Sequence, residues 1–191
     1  GRAYAGGWLD WFTPFSLMTG VAVVVGYALL GATWLIWKCE GPMQAHFREK
    51  AQVLGIAMLG AITVVSLWTP LLDDGFAARW FEMPQIIYTL PVPAMVVVLA
   101  LVLFRSLTGT RDAVPFLASL GLFLVTYIGL GISLYPNIVP PSIDIWQAAA
   151  PDSSLLFLLV GAAVLIPMIL AYSAYAYWVF RGKVRAGEGY H

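Results

Sequence analysis

Few side chains in this sequence could act on iron, on a proton or as a nucleophile, and where they stand decides what they can do. The two histidines are His46, in a segment between apolar runs, and His191, the last residue. Met18, Met58, Met95 and Met168 lie inside apolar runs. Iron held in a helical bundle needs axial His, Met, Cys or Tyr facing a pocket, whereas a single Met among aliphatic neighbours is ordinarily packing material. Cys39 is the single cysteine, which excludes an internal disulfide, and nothing beside it forms a redox pair. No metal-ligand spacing, nucleophilic triad or phosphate-binding loop is visible. Gly129-Leu130-Gly131 sits within an apolar run without the strand that a nucleotide fingerprint requires. No catalytic, cofactor-binding or metal-ligating residue is therefore assigned to this chain.

The elements around these residues explain the scarcity. Five runs, Phe15–Trp37, Ala51–Trp68, Ile86–Phe104, Val114–Tyr135 and Ser154–Phe180, contain no Asp, Glu, Lys, Arg or His. Each reaches or approaches the ~20 residues that cross ~30 Å of hydrocarbon. With 61% hydrophobic and 10% charged residues, a water-soluble surface could not be assembled around them. The fold class is an all-α, polytopic transmembrane helical bundle, read as a single domain over residues 1–191 with these five spans. Proton relays, ion pathways and voltage sensors show themselves as intramembrane ionisable residues, and these runs supply none.

Charge distribution sets the expected orientation. Lys38, Arg48 and Lys50 follow the first run, Arg105 and Arg111 the third, and Arg181, Lys183 and Arg185 the fifth. The opposite side has Arg2 and Arg79 against Asp10, Asp73, Asp74, Glu82, Asp144 and Asp152. The positive-inside rule then places the C-terminus in the cytoplasm and Gly1 outside. The first residues, GRAYAGGWLDWFTP, lack the basic and apolar regions of a signal peptide. An outside start without an export signal implies upstream spans, so the chain is expected to be the C-terminal part of a longer polypeptide. The basic clusters suit topology and anionic lipid contact, with no nucleic-acid role.

Local signals place the helix ends. Thr13-Pro14 predicts an N-cap followed by proline at the first helical position. Gly41-Pro42 predicts a turn leading into an interfacial helix before the second span. Pro91 and Pro93 predict a kink or an irregular entry at the third. The outer segment YPNIVPPSIDIW is expected to be stiff, and Pro167 to kink the last span. Gly20, Ala22, Gly26 and Gly31 offer small residues for close helix approach. Trp34, Trp37, Trp80 and Trp146 are placed to meet quinone or lipid, and the aromatic-belt rule reads them first as interface anchors.

Several linear signatures go further: DWFTPFSLMTG (Asp10–Gly20), GYALLGATWLIWKCEG (Gly26–Gly41), SLWTPL (Ser66–Leu71), SLYPNIVPPSIDIWQAAAPDSSL (Ser133–Leu155) and IPMILAYSAYAYWVFRGKV (Ile166–Val184) with a GYH ending. Together they resemble subunit II of the cytochrome bd ubiquinol oxidases, including the cyanide-insensitive branch, in collinear order through almost the whole chain. The resemblance implies the last five of eight spans of a subunit in a bacterial inner-membrane quinol:oxygen oxidoreductase. It further implies a larger partner, subunit I, that carries haem b, haem d and the quinol-oxidising loop. Subunit II would support that partner without ligating haem, and in some members it holds a structural quinone. The acidic residues and tryptophan-lined oxygen route of the family have no matching positions here. Two other classes compete with this reading. A transporter or channel half would need a polar path, for which Thr63, Ser66, Ser119 and Thr126 are the main material. An assembly factor or inert scaffold would leave no stoichiometric chain in an active enzyme. For the leading reading, the small-residue face of the first helix is the expected contact with subunit I.

Overall fold

The structure, a computed structural model, describes residues 7–72, 80, 81, 83, 85–139 and 142–184. Arg2, Asp73, Asp74, Arg79, Glu82, Pro140, Pro141, Arg185 and His191, which entered the sequence reading, lie outside them. Among the described residues, 7–133 belong to one compact unit and 134–184 to a second.

Helix α1 spans Pro14–Lys38. Its start is a capping box: Ser16 N–H donates to Thr13 Oγ1 (3.1 Å) and Thr13 N–H to Ser16 Oγ (3.0 Å). Two helix-end donors are thereby satisfied, with serine in the role usually taken by Glu, and Pro14 stands at the position where its missing N–H costs nothing. The turn out of α1 is two residues long, Cys39 and Glu40, after which α2 runs over Gly41–Trp68. Gly41 has φ +66°, a left-handed backbone that glycine adopts without strain. The expected interfacial helix and second span are thus one continuous helix. α1 and α2 form an antiparallel hairpin. Phe15 meets Trp68 edge-on at one end (5.7 Å), and the Gln44 amide donates to Ile36 O at the other (2.8 Å).

The third span is helical despite its prolines. α3 (Gln85–Thr89) leads through Leu90, itself in helical geometry, into α4 (Pro91–Leu107). Pro91 and Pro93 donate nothing, but Leu90 N–H reaches Ile86 O and Ala94 N–H reaches Leu90 O (2.9 and 3.3 Å), so the ladder is thinned and not broken. α4 alone is a 17-residue apolar helix, shorter than the other spans. α5 spans Val114–Leu134.

Leu29, Ala32 and Ile36 of α1, Ala51 and Met58 of α2, Leu103 and Leu107 of α4, and Ala118 and Leu122 of α5 form one buried cluster. Between helices in lipid the attraction is van der Waals contact, so packing depends on small residues that admit large ones. Gly26 of α1 lies under the Phe123 ring, Gly55 of α2 under Phe104, and Gly121 of α5 under Leu99.

The second unit begins with a β-hairpin. β1 (Asn137–Val139) pairs antiparallel with β2 (Ile143–Asp144), with Asn137 opposite Asp144 and Val139 opposite Ile143. A single helical turn follows, α6 (Ile145–Ala148), capped by Asp144 Oδ1 accepting from Gln147 N–H (2.7 Å). The expected stiff loop is therefore a folded hairpin, closed by Ile145 N–H donating to Pro136 O (3.0 Å). α7 (Asp152–Val179) passes through Pro167 without interruption. At its end Arg181 lies over the Trp178 ring (4.7 Å) and donates to Trp178 O (2.9 Å), a basic cap on a helix C-terminus.

Among the described residues four helical stretches, 14–38, 41–71, 114–134 and 152–179, are long and apolar enough to cross a membrane.

Candidate functional site

Among the described residues the potential iron ligands are not brought together. His46 is exposed on the first turns of α2, edge-on to its neighbour Phe47 (5.6 Å). Met58 is buried with its Cε against Gly26, which makes it core packing. Met95 and Met168 are exposed. Among the described residues no three His, Cys, Asp or Glu side chains gather in metal-binding reach. Cys39 is a buried free thiol at the end of α1. These residues do not fit a haem site.

Three of the four hydroxyls weighed for a polar path turn back into their own helices. Thr63 donates to Leu59 O (2.8 Å), Ser119 to Pro115 O (2.9 Å) and Thr126 to Leu122 O (2.9 Å). Thr33, buried in the core, does the same to Leu29 O (2.8 Å). A hydroxyl satisfied by the carbonyl four residues back is not offered to a passing ion or water.

Polar chemistry is concentrated at the two ends of the first unit. At the end carrying the α1–α2 turn, Arg48 donates to Leu107 O (2.7 Å) and to Asp112 Oδ1 (2.6 Å). One guanidinium thus closes the C-terminus of α4, where carbonyls lack helical partners, and fixes the α4–α5 turn against α2. Both side chains are about four-fifths covered, at 19% and 21% exposure. Beside this clamp Trp34, Trp37 and Phe116 pack ring against ring (5.1–5.8 Å), with Lys38 Nζ over the two indoles at 5.1 and 5.7 Å. At the opposite end Trp80 donates through Nε1 to Ser133 Oγ (2.9 Å), while Thr89 donates to Trp80 O (3.2 Å).

By sequence Arg48 reads as a topology signal and Trp80 as a surface anchor; the structure makes each a tie between helices. Opposite charge on Arg48 and Asp112 was the one visible hint. Trp34 and Trp37 are half-buried on Phe116, and Trp146 is exposed, edge-on to Tyr135 (6.3 Å). The small-residue face of α1 is divided. Gly26 is used inside the bundle, Ala22 is half-buried, and Gly20 and Gly31 are open, with nothing within 4 Å of a Cβ built on either. Gly26 is therefore withdrawn from the expected contact with a partner.

Comparison with known proteins supplies what the geometry does not. Residues 1–180 match the family described as cytochrome bd terminal oxidase subunit II. The chain belongs to that family. It is 25% identical over 95% of its length to the cytochrome bd-I ubiquinol oxidase subunit 2 of Escherichia coli (strain K12), covering 55% of that protein. It is also 25% identical over 96% of its length to the probable cytochrome oxidase subunit 2 of Haemophilus influenzae, covering 56% of it. Against the cytochrome bd ubiquinol oxidase subunit 2 of Bacillus subtilis identity is 22% over 94% of the chain and 53% of the relative. The chain thus spans about half the length of these relatives.

Proposed function

We propose that this chain forms the non-haem-ligating part of subunit II in a terminal quinol:oxygen oxidoreductase of the bacterial inner membrane. The family match over residues 1–180 carries this reading. The bonding of Thr63, Ser119 and Thr126 to carbonyls of their own helices, and of the ion pair to a turn, supports it over a transporter half. In this reading the haems b and d, their ligands and the quinol-oxidising loop reside in the larger subunit I. The chain contributes five membrane spans, packs against that subunit, and shapes how protons and oxygen reach it. Quinol is oxidised on the outer side, and electrons pass to oxygen, which is reduced to water with protons from the cytoplasm. Protein-bound structural quinone and lipid are further occupants of its surface.

The orientation that accompanies this reading puts the Arg48 clamp and Lys38 in the cytoplasm. The hairpin of β1 and β2 then faces outward, as the basic residues that flank the first, third and fifth spans require.

The test is quinol-driven oxygen uptake in membranes of a strain deleted for the whole subunit. Restoration by the intact gene and not by one lacking the region encoding this chain supports the reading. Unimpaired uptake without the region contradicts it.

A further inference from the structure

Between α1 and α2 lies an open groove of about 460 Å³. Its lining is Ala28, Gly31, Ala32 and Leu35 from α1 and Phe47, Lys50, Val53 and Leu54 from α2, apolar throughout apart from one ammonium group. The groove exists because α1 presents small residues to it. A Cβ at Gly31 would meet nothing within 4 Å. The volume is in the range of small-ligand sites, ~300–1,000 Å³.

Lys50 decides what belongs there. It is the last ionisable residue of α2 before the apolar stretch from Ala51 to Trp68, which puts it at the boundary between headgroups and hydrocarbon. It is exposed, and no described residue pairs with it, the ion pair of this region being Arg48 with Asp112. Glu49, its acidic neighbour in sequence, is not part of the lining, and His46 stands one helical turn away, towards the start of α2. A protein helix laid in the groove would cover an uncompensated ammonium at the edge of the hydrocarbon, which is costly. A neutral quinone ring would leave the charge unused. A phosphodiester with an acyl chain satisfies both parts at once, because the chain fills the apolar floor and the phosphate meets a cation at headgroup level.

We propose that the α1–α2 groove is a binding site for one anionic glycerophospholipid, its acyl chain along Ala28, Gly31 and Val53 and its phosphate on Lys50. This goes beyond the role of the chain as a subunit.

The experiment uses the intact complex that contains this chain, reconstituted in nanodiscs of phosphatidylglycerol and phosphatidylcholine, released into detergent and weighed by native mass spectrometry. Wild type is expected to retain one phosphatidylglycerol in preference to phosphatidylcholine. Lys50→Gln should weaken that retention about fivefold, the value of one basic residue at an anionic surface, and Lys50→Arg should keep it. Gly31→Leu, which fills the groove from an open position, should abolish it while the complex remains assembled, because the lipid takes Gly31 out of the expected contact with subunit I. A photo-reactive residue at Val53 reports the occupant independently and should label phospholipid. Equal retention in wild type and both loss variants overturns the proposal. So does capture of a protein segment or a quinone at Val53.

Discussion

Gly26 gives the most exacting test of the packing. A Cβ there would stand 2.7 Å from Phe123 Cε2, 2.8 Å from Cζ and 3.4 Å from Met58 Cε. Ordinary contact begins near 3.4 Å, so the Phe123 ring must retreat by 0.7 Å (3.4 − 2.7) for the smallest side chain. The ring is held in turn by Tyr27, at 5.4 Å between centroids. Overpacking of this kind costs about 1–3 kcal/mol. Alanine otherwise favours a helix interior over glycine by about 1 kcal/mol, so Gly26→Ala should lose up to about 2 kcal/mol net. Gly31→Ala, with open space around its Cβ, should gain up to about 1 kcal/mol. The assay is thermal unfolding of the detergent-solubilised complex, with Phe123→Leu added to make room. Gly26→Ala with Phe123→Leu should recover much of the loss relative to Phe123→Leu alone. If Gly26→Ala and Gly31→Ala behave alike, or Phe123→Leu gives no relief, the close approach of α1 and α5 is wrong.

Three further outcomes follow from named contacts. Arg48→Met removes a charge-assisted bond to Leu107 O and the pair with Asp112, and should destabilise the complex by about 1–3 kcal/mol; Asp112→Asn, which leaves the carbonyl bond in place, should cost less than 1 kcal/mol or so. The check is the order of the two in thermal unfolding, and equal effects would remove the capping role. Trp80→Phe keeps a ring against α5 but loses the bond to Ser133, an expected loss of about 0.5–1.5 kcal/mol. In a double-mutant cycle with Ser133→Ala the two changes should cost little more together than singly. Asp144→Ala should cost about 1 kcal/mol of local stability by removing the cap of α6. Hydrogen exchange should then rise at Gln147 N–H with α5 unaffected.

The spans were legible because hydrocarbon tolerates no ionisable side chain, so their limits are written in the positions of Lys38, Lys50, Arg105 and Asp152. Thr13-Pro14 announced the start of α1 through side chains that act within one turn. Long-range ties were not legible in the same way. Arg48 and Asp112 are 64 residues apart, and charge alone could not separate a clamp from a topology signal. Gly26 looked equally suited to a partner helix or to a ring from its own chain, because small residues state that something approaches and not what. The two strands of the β-hairpin were hidden for another reason. Prolines imply restricted backbone, but pairing depends on which residues the turn brings opposite one another.

The central claim is that the chain belongs to a haem-bearing oxidase without ligating haem itself. It is tested most directly by a reduced-minus-oxidised visible spectrum of the tagged complex in mild detergent, recorded before and after the larger partner is stripped away. The account predicts haem bands that accompany the partner and leave with it, with this chain remaining colourless. Haem bands retained by this chain alone, or a purified chain that brings down neither haem nor partner, would contradict it.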